Sequence, residues 1–185
     1  MGRRFDEVDL KLYFKPYSRL YRNTQGVVEE MSLLIDQIEI SNNDKLELIE
    51  LAYLHKLGFS PKTLETGFEP LDGAIYCKEK NYPLEIVSAV MFYSGAFEIV
   101  KRNFPDLMNV YLEHKYSMTT KAKLYIDLLT YCDLHRSYSG LKLTFIEKQK
   151  EISYYYGEDH NLVNTLKSLE YTYKDIIKRV EAKKL

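Results

Sequence analysis

The apolar residues of this chain recur at helical spacing along most of its length, and no stretch alternates between apolar and polar residues as a half-buried strand does. One typical segment carries Val27, Val28, Met31, Leu34, Ile35 and Ile38. Glycine and proline, which interrupt helices, number only 8 and 5 in 185 residues. We therefore predict an all-α helical bundle of roughly eight to ten helices.

Local signals predict where several helices begin and end. Pro16 disfavours the helical conformation for the residue before it, so the first helix should end near residue 14. Residues 41–44, SNND, carry the chemistry of a helix N-cap, and Gly58 fits a helix C-cap. Gly157 separates the two last predicted helices, which span residues 144–156 and about 159–183.

A chain of 185 residues with 45% hydrophobic residues has the size of one domain, and it can bury roughly 70% of the surface of its unfolded form. No repeat, low-complexity segment or linker divides it, so we predict one domain over residues 1–185. Cys77 and Cys132 are too few for a disulfide scaffold. With no recognisable signal peptide, these cysteines indicate a cytoplasmic protein.

Charge and hydropathy disfavour two classes of partner. The chain has 26 Lys and Arg against 27 Asp and Glu, a net charge of −1, which makes nucleic acid an unlikely partner. No apolar run approaches the ~20 residues of a membrane span, so no membrane contact is expected. Tyr154, Tyr155 and Tyr156 could stack nucleic-acid bases, but their acidic neighbours favour a role in packing.

The most specific pattern lies in residues 54–61, LHKLGFSP, and 66–74, TGFEPLDGA. It resembles bacterial members of the HD-domain phosphohydrolase superfamily, which read LHDIGYSP and TGFHPLDGA there. Residues 23–27, NTQGV, resemble the family's HTQGV, and residues 92–96, FYSGA, lie where the family has HHSGA. Asp133 matches the family's closing aspartate. The resemblance covers about residues 20–181 and implies an HD-type helical bundle.

In that family a divalent metal ion, held by a histidine, an adjacent His-Asp pair and a later aspartate, activates water for attack on a phosphate ester. By the resemblance, the corresponding ligands and later histidines fall at Asn23, His55, Lys56, Glu69, Phe92, Tyr93 and Asp133. Of the family's four metal ligands, only His55 and Asp133 survive. The ammonium of Lys56 has no acceptor and cannot ligate a cation. We therefore expect no metal, no cofactor and no catalytic residue.

We hypothesise that Lys56 replaces the metal as the counter-charge of Asp133, with Glu69 as a possible second partner. At about 4 Å and an effective dielectric near 20, such a pair is worth about 4 kcal/mol before desolvation. Lys56 could instead turn into solvent, and His55 could be an ordinary buried histidine. Phe92 and Tyr93 would either fill the former metal cavity or stack a ligand's base.

Two functions follow from these alternatives. The first is a catalytically inactive HD-domain protein that binds a partner protein or a nucleotide-like ligand. The second is a phosphohydrolase acting on a nucleotide or other phosphate ester, with one divalent ion such as Mn, Fe or Zn. Its rebuilt site would use His55, Asp133, Glu69 and Asn23, with Lys56 turned outward or holding the substrate phosphate. Self-association through an apolar helix face is open in either case.

Overall fold

The computed structural model describes residues 4–185, which fold into an all-α bundle as predicted. Its α-helices are α1 (Glu7–Tyr13), α2 (Arg19–Ile35), α3 (Asn42–Leu54), α4 (Glu69–Glu79), α5 (Leu84–Phe92), α6 (Ala96–Asn103), α7 (Met108–Tyr116), α8 (Thr120–Leu134), α9 (Phe145–Tyr156), α10 (Asn161–Ser168) and α11 (Glu170–Glu181). Short 3₁₀ turns span Leu57–Phe59, Tyr93–Gly95 and Pro105–Leu107. Within residues 4–185 there is no β-strand, and no helix is long and apolar enough to cross a membrane.

The centre of the bundle is α8, which packs against α2, α3, α5 and α11. It contributes Tyr125, Leu128 and Leu129 to the core, and the largely apolar α5 contributes Ile86 and Val90. Complete burial of a leucine or isoleucine side chain stabilises the fold by roughly 1.5–3 kcal/mol. This packing fixes the C-terminal end of α8 next to the Tyr93–Gly95 turn, where the candidate site lies.

Two of the predicted helix boundaries are confirmed. The first helix ends at Tyr13 with Phe14 as its C-cap, two residues before Pro16. Ser41 Oγ accepts a hydrogen bond from the amide of Asp44 at 3.1 Å. Each cap satisfies a backbone group that the end of a helix leaves without a partner.

The prediction that Gly58 caps the C-terminus of a helix is wrong. Helix α3 ends earlier, at Leu54, with His55 as its C-cap, and Gly58 lies in the following 3₁₀ turn. A Cβ atom on Gly58 would lie 1.8 Å from the carbonyl oxygen of Glu69. Glycine is required there because the first turn of α4 packs directly on this backbone, which brings Glu69 close to the end of α3.

The predicted single helix over residues 159–183 is also wrong, because it breaks into α10 and α11. Leu169 has φ −95° and ψ 4°, and it serves as the C-cap of α10 and the N-cap of α11. The break allows α10 to pack against α6 and α9 while α11 packs against α8. Helical periodicity continues across residue 169, so the sequence contains no signal for this change of direction.

Candidate ligand-binding cavity

A cavity of about 540 Å³ lies beside the C-terminal end of α8. Five of the seven residues that the resemblance singled out line it: Asn23, Lys56, Glu69, Tyr93 and Asp133. His55 is completely buried behind this wall, with Nε2 at 3.9 Å from Asp133 Oδ1. The structure does not bring Phe92 to this cavity, because its ring packs against Tyr111 at 5.0 Å and lines a different cavity.

The ends of three elements place the central side chains. His55 and Lys56 follow directly on α3, and Lys56 leads into the Leu57–Phe59 turn. Asp133 is the penultimate residue of α8. Tyr93 begins the turn after α5, where the helix stops and the chain changes direction. Because Phe92 still belongs to α5 and Tyr93 does not, these neighbours face different parts of the molecule.

The turn residue Ser94 holds Asp133 in place from a strained conformation. Ser94 has φ 49° and ψ 35°, a left-handed geometry that costs a residue other than glycine on the order of 1–3 kcal/mol. Three hydrogen bonds offset this cost. The amide donates to Thr130 Oγ1 at 3.0 Å, the hydroxyl donates to Asp133 Oδ2 at 2.8 Å, and the carbonyl accepts from Tyr173 Oη at 3.0 Å. Ser94 thereby occupies one carboxylate oxygen and leaves Oδ1 for Lys56.

Lys56 and Asp133 form a buried ion pair at the centre of the site. Lys56 Nζ lies 3.2 Å from Asp133 Oδ1, and the two side chains are only 10% and 9% exposed. Nζ also donates to Tyr93 Oη at 3.4 Å and lies over the rings of Tyr93 and Phe59, at 5.1 and 5.5 Å from their centroids. The side chain of Lys56 is therefore held inside the protein and does not turn into solvent.

The pairing keeps both side chains ionised at neutral pH. Burial alone would lower the pKa of Lys56, but Asp133 and Tyr93 outweigh it and raise that pKa above its usual range. Burial alone would raise the pKa of Asp133, but Lys56 above all outweighs it and holds that pKa well below its usual range. The pair has no net charge. Within residues 4–185 no ion pair joins Lys56 to Glu69, the second partner considered for it.

His55 is neutral and presents a lone pair on this side of the core. Its Nδ1 lies 2.7 Å from the carbonyl oxygen of Ala52, to which it donates, so Nε2 carries no proton. Burial, reinforced by the neighbouring Lys56, lowers the pKa of His55 to about 3. Three buried acceptor atoms of the site accept no hydrogen bond from the protein: His55 Nε2, Asp133 Oδ1 and Asn23 Oδ1. The amide of Asn23 is fixed in this orientation because its Nδ2 donates to the Ser137 carbonyl at 2.8 Å.

The residues present do not fit the divalent metal that the resemblance implies. The ammonium group of Lys56 lies 3.2 Å from the carboxylate that would bind the metal, so it would repel a cation there. In the part of the chain that the structure describes, no group of three or more His, Cys, Asp or Glu side chains could hold a metal ion. We therefore derive no chemical step through a metal.

The rest of the cavity wall is mainly aromatic and aliphatic. The lining side chains of this kind include Phe59, Phe68, Tyr93, Phe104, Tyr138, Tyr156, Ile99, Ile152, Leu162 and Leu166. Helices α9 and α10 supply part of this wall and α2 another part, so residues distant in sequence share one surface. Such a wall suits a ligand with a flat, mostly apolar ring, and the charged groups would fix the orientation of that ligand.

Two cations of this wall, Arg19 and Lys148, carry no recognisable signal in the sequence. Arg19 is exposed at the rim, with its guanidinium 4.3 Å above the Tyr155 ring and 5.9 Å from the Tyr138 ring. Lys148 is buried, donates to the Arg136 carbonyl at 2.7 Å, and has its pKa lowered by that burial. Neither residue belongs to a local motif, so only the packing of α2 against the loop before α9 identifies them.

The three consecutive tyrosines do not share one role. The prediction that they pack inside is wrong, because Tyr154 is 85% exposed and Tyr155 and Tyr156 are each 45% exposed. Tyr156 lines the cavity, and the ring of Tyr155 lies against the guanidinium of Arg19. The end of α9 therefore forms part of the exposed rim of the cavity.

Comparison of this chain with models of protein families, with curated proteins and with solved structures gives no match in any of the three.

Proposed function

We propose that this chain is a catalytically inactive HD-domain protein that binds a nucleotide-like small molecule without a metal. By nucleotide-like we mean an organic molecule with a flat ring and an anionic group. The observation that carries the proposal is the buried Lys56–Asp133 ion pair, at 3.2 Å, in the wall of the cavity. By the resemblance to HD-domain proteins it takes the place of the metal, so the site would keep a pocket while losing the ion that would activate water.

The dimensions and lining of the cavity support a small molecule over a partner protein. Its volume of about 540 Å³ lies within the roughly 300–1,000 Å³ of typical ligand sites. Aromatic side chains offer faces for a ring. The guanidinium of Arg19 at the rim can donate in-plane hydrogen bonds to an anionic group.

We also propose that the protein works in the cytoplasm. Cys77 and Cys132 are both buried, and neither is paired in a disulfide. Free cysteines of this kind are usual in reducing compartments.

The first test combines metal analysis with ligand binding. Protein purified without chelator and supplemented with manganese, iron and zinc should contain no stoichiometric metal. A panel of nucleoside mono-, di- and triphosphates should then contain members that raise the melting temperature without added metal. Stoichiometric metal together with hydrolysis of any of these phosphate esters would contradict the proposal and support a working phosphohydrolase.

A matched pair of variants locates the binding site. Ile99→Trp places a large ring in the cavity wall and should abolish the thermal shift, whereas Ile146→Trp, on an exposed position of α9, should leave it unchanged. Equal loss of the shift in both variants, or in neither, would place the ligand outside this cavity.

A second variant tests descent from the HD-domain arrangement. Replacing Asn23 with histidine and Lys56 with aspartate adds two ligands beside His55 and Asp133, a set that binds transition metals. We expect this double variant to gain affinity for manganese or iron, measured by calorimetry against the unaltered protein. No gain would contradict the assignment of these four positions to a former metal site.

A further inference from the structure

The carboxylate of Glu69 lines the cavity and has no partner among the residues that the structure describes. Glu69 is the first residue of α4 and is half-buried. Asp72, in the same first turn, accepts hydrogen bonds from Thr66 N, Thr66 Oγ1 and Gly67 N at 2.7, 2.7 and 3.2 Å. The carboxylate of Asp72 therefore accepts these hydrogen bonds of the loop before α4 without help from Glu69. Glu69 is left with two acceptor oxygens directed to no donor of the described chain.

The other charges of the wall each have a charged or polar partner in the protein, with one exception. Lys56 and Asp133 neutralise each other, and Lys148 donates to a carbonyl and lies 3.7 Å from Glu151. Arg19 is the exception. One face of its guanidinium lies on the Tyr155 ring, and no carboxylate of residues 4–185 lies within 4 Å of it. The cavity thus presents one unpaired anion on α4 and one unpaired cation on α2.

We infer that the ligand of this cavity is an aromatic zwitterion, with a protonated amine or amidine that pairs with Glu69 and an anionic group that pairs with Arg19. This inference rests on the proposed function and adds the cationic group to it. The aromatic wall receives the ring of this ligand. A molecule that carries only one of the two charges would leave either Glu69 or Arg19 without a partner beside an apolar ligand. Such a molecule should therefore bind more weakly.

The absence of tryptophan from the chain makes a direct test possible. The indole fluorescence of a ligand can be followed against tyrosine alone. The probes are tryptamine, which is cationic, indole-3-propionate, which is anionic, tryptophan, which carries both charges, and neutral indole. Dissociation constants are measured for the unaltered protein, Glu69→Gln and Arg19→Gln. Glu69→Gln keeps the size of the side chain and removes its charge. Arg19→Gln also removes the charge and keeps an NH2 donor, but its side chain is shorter and has fewer donors.

We expect losses that follow the charge. Glu69→Gln should raise the dissociation constant of tryptamine roughly tenfold and leave that of indole-3-propionate unchanged. Arg19→Gln should raise the dissociation constant of indole-3-propionate roughly tenfold and leave that of tryptamine unchanged. The affinity for tryptophan should fall in both variants, and the affinity for neutral indole should fall in neither. Melting temperatures near that of the unaltered protein establish that both variants are folded, as the intact hydrogen bonds of Asp72 lead us to expect.

Two other outcomes are distinguishable. If the probes bind but neither charge change discriminates between tryptamine and indole-3-propionate, the zwitterion inference is overturned and the binding function stands. If no probe and no nucleotide binds to the unaltered protein, the binding function itself is overturned.

Discussion

Two buried ion pairs each have one member at or just after the C-terminal end of α8, but they differ in how completely they are hydrogen-bonded. Arg136 donates to Glu30 Oε2 from Nε and Nη2 at 3.0 and 2.9 Å, and from Nη1 to Glu29 and the Gly140 carbonyl at 2.8 and 3.2 Å. Lys56 reaches Asp133 at 3.2 Å, but Asp133 Oδ1 accepts no well-directed hydrogen bond, and the neighbouring His55 Nε2 accepts none either.

This difference separates a structural charge from one that we propose to be functional. The Arg136–Glu30 pair connects α2 to the loop between α8 and α9, and neither residue lines the candidate cavity. A completely hydrogen-bonded buried pair contributes to a unique conformation. The Lys56 pair borders a cavity and leaves acceptors unsatisfied, a cost that folding alone does not explain. Charges that remain imperfectly satisfied beside a cavity are those we assign to binding.

The largest expected effect is on the structural pair. Arg136→Ala leaves Glu30 buried without its partner and should lower the free energy of unfolding by about 3–5 kcal/mol. Urea denaturation measures this loss. Arg179, which pairs with Asp127 on the surface, provides a control, because Arg179→Ala should cost less than about 1 kcal/mol. Equal losses in the two variants would contradict a structural role specific to Arg136.

A double-mutant cycle tests the Lys56 pair. Lys56→Met and Asp133→Leu should each destabilise by about 3 kcal/mol, because each leaves one buried charge alone. The double variant should be less destabilised than the sum by at least about 1 kcal/mol, since it leaves no lone charge. Strictly additive losses would show that the two side chains do not stabilise each other.

The sequence predicts the class of fold well because helical periodicity is local. Ser41 begins α3 and Phe14 ends α1 through contacts with neighbours within four residues, so these boundaries are visible in the sequence. The break at Leu169 is different. It depends on how α10 and α11 pack on separate partners, and the apolar pattern runs through it unchanged.

The same distinction holds for the candidate site. Five of the seven positions taken from the HD-domain resemblance converge on one cavity, and two of them, Lys56 and Asp133, lie near the C-terminal ends of α3 and α8. Phe92 does not reach it, because one residue at the end of α5 reverses the direction of its side chain relative to Tyr93. Arg19 and Lys148 could not be predicted as wall residues because neither belongs to a local sequence motif. Tertiary packing alone brings them to the cavity wall.

The pH dependence of stability distinguishes His55 from the ion pairs. Its pKa is about 3 in the folded protein, lowered mainly by burial, and about 6.5 in an unfolded chain. The unfolded state therefore binds more protons between these values, so stability is lost as pH falls below about 6.5. The expected loss attributable to His55 is about 2–3 kcal/mol between pH 7.5 and pH 4.5.

The control for this effect is His55→Asn, whose side-chain amide can still donate to the Ala52 carbonyl. His114 and His135 also have pKa values lowered by burial, so they contribute a slope of the same sign in both proteins. Urea midpoints measured across this pH range should therefore fall less steeply in the variant. Parallel curves would contradict a neutral, buried His55.

The smallest expected effect on stability concerns the two carboxylates at the start of α4, and it separates folding from binding most sharply. Asp72→Asn weakens three hydrogen bonds to an ionised group and should cost about 1–3 kcal/mol in urea denaturation. Glu69→Gln loses only its favourable position at a helix N-terminus, which is worth about 0.3–1 kcal/mol. A carboxylate that contributes so little to stability, yet is kept half-buried in a cavity, is placed for a ligand. A cost of Glu69→Gln equal to that of Asp72→Asn would instead make Glu69 a structural residue of the loop.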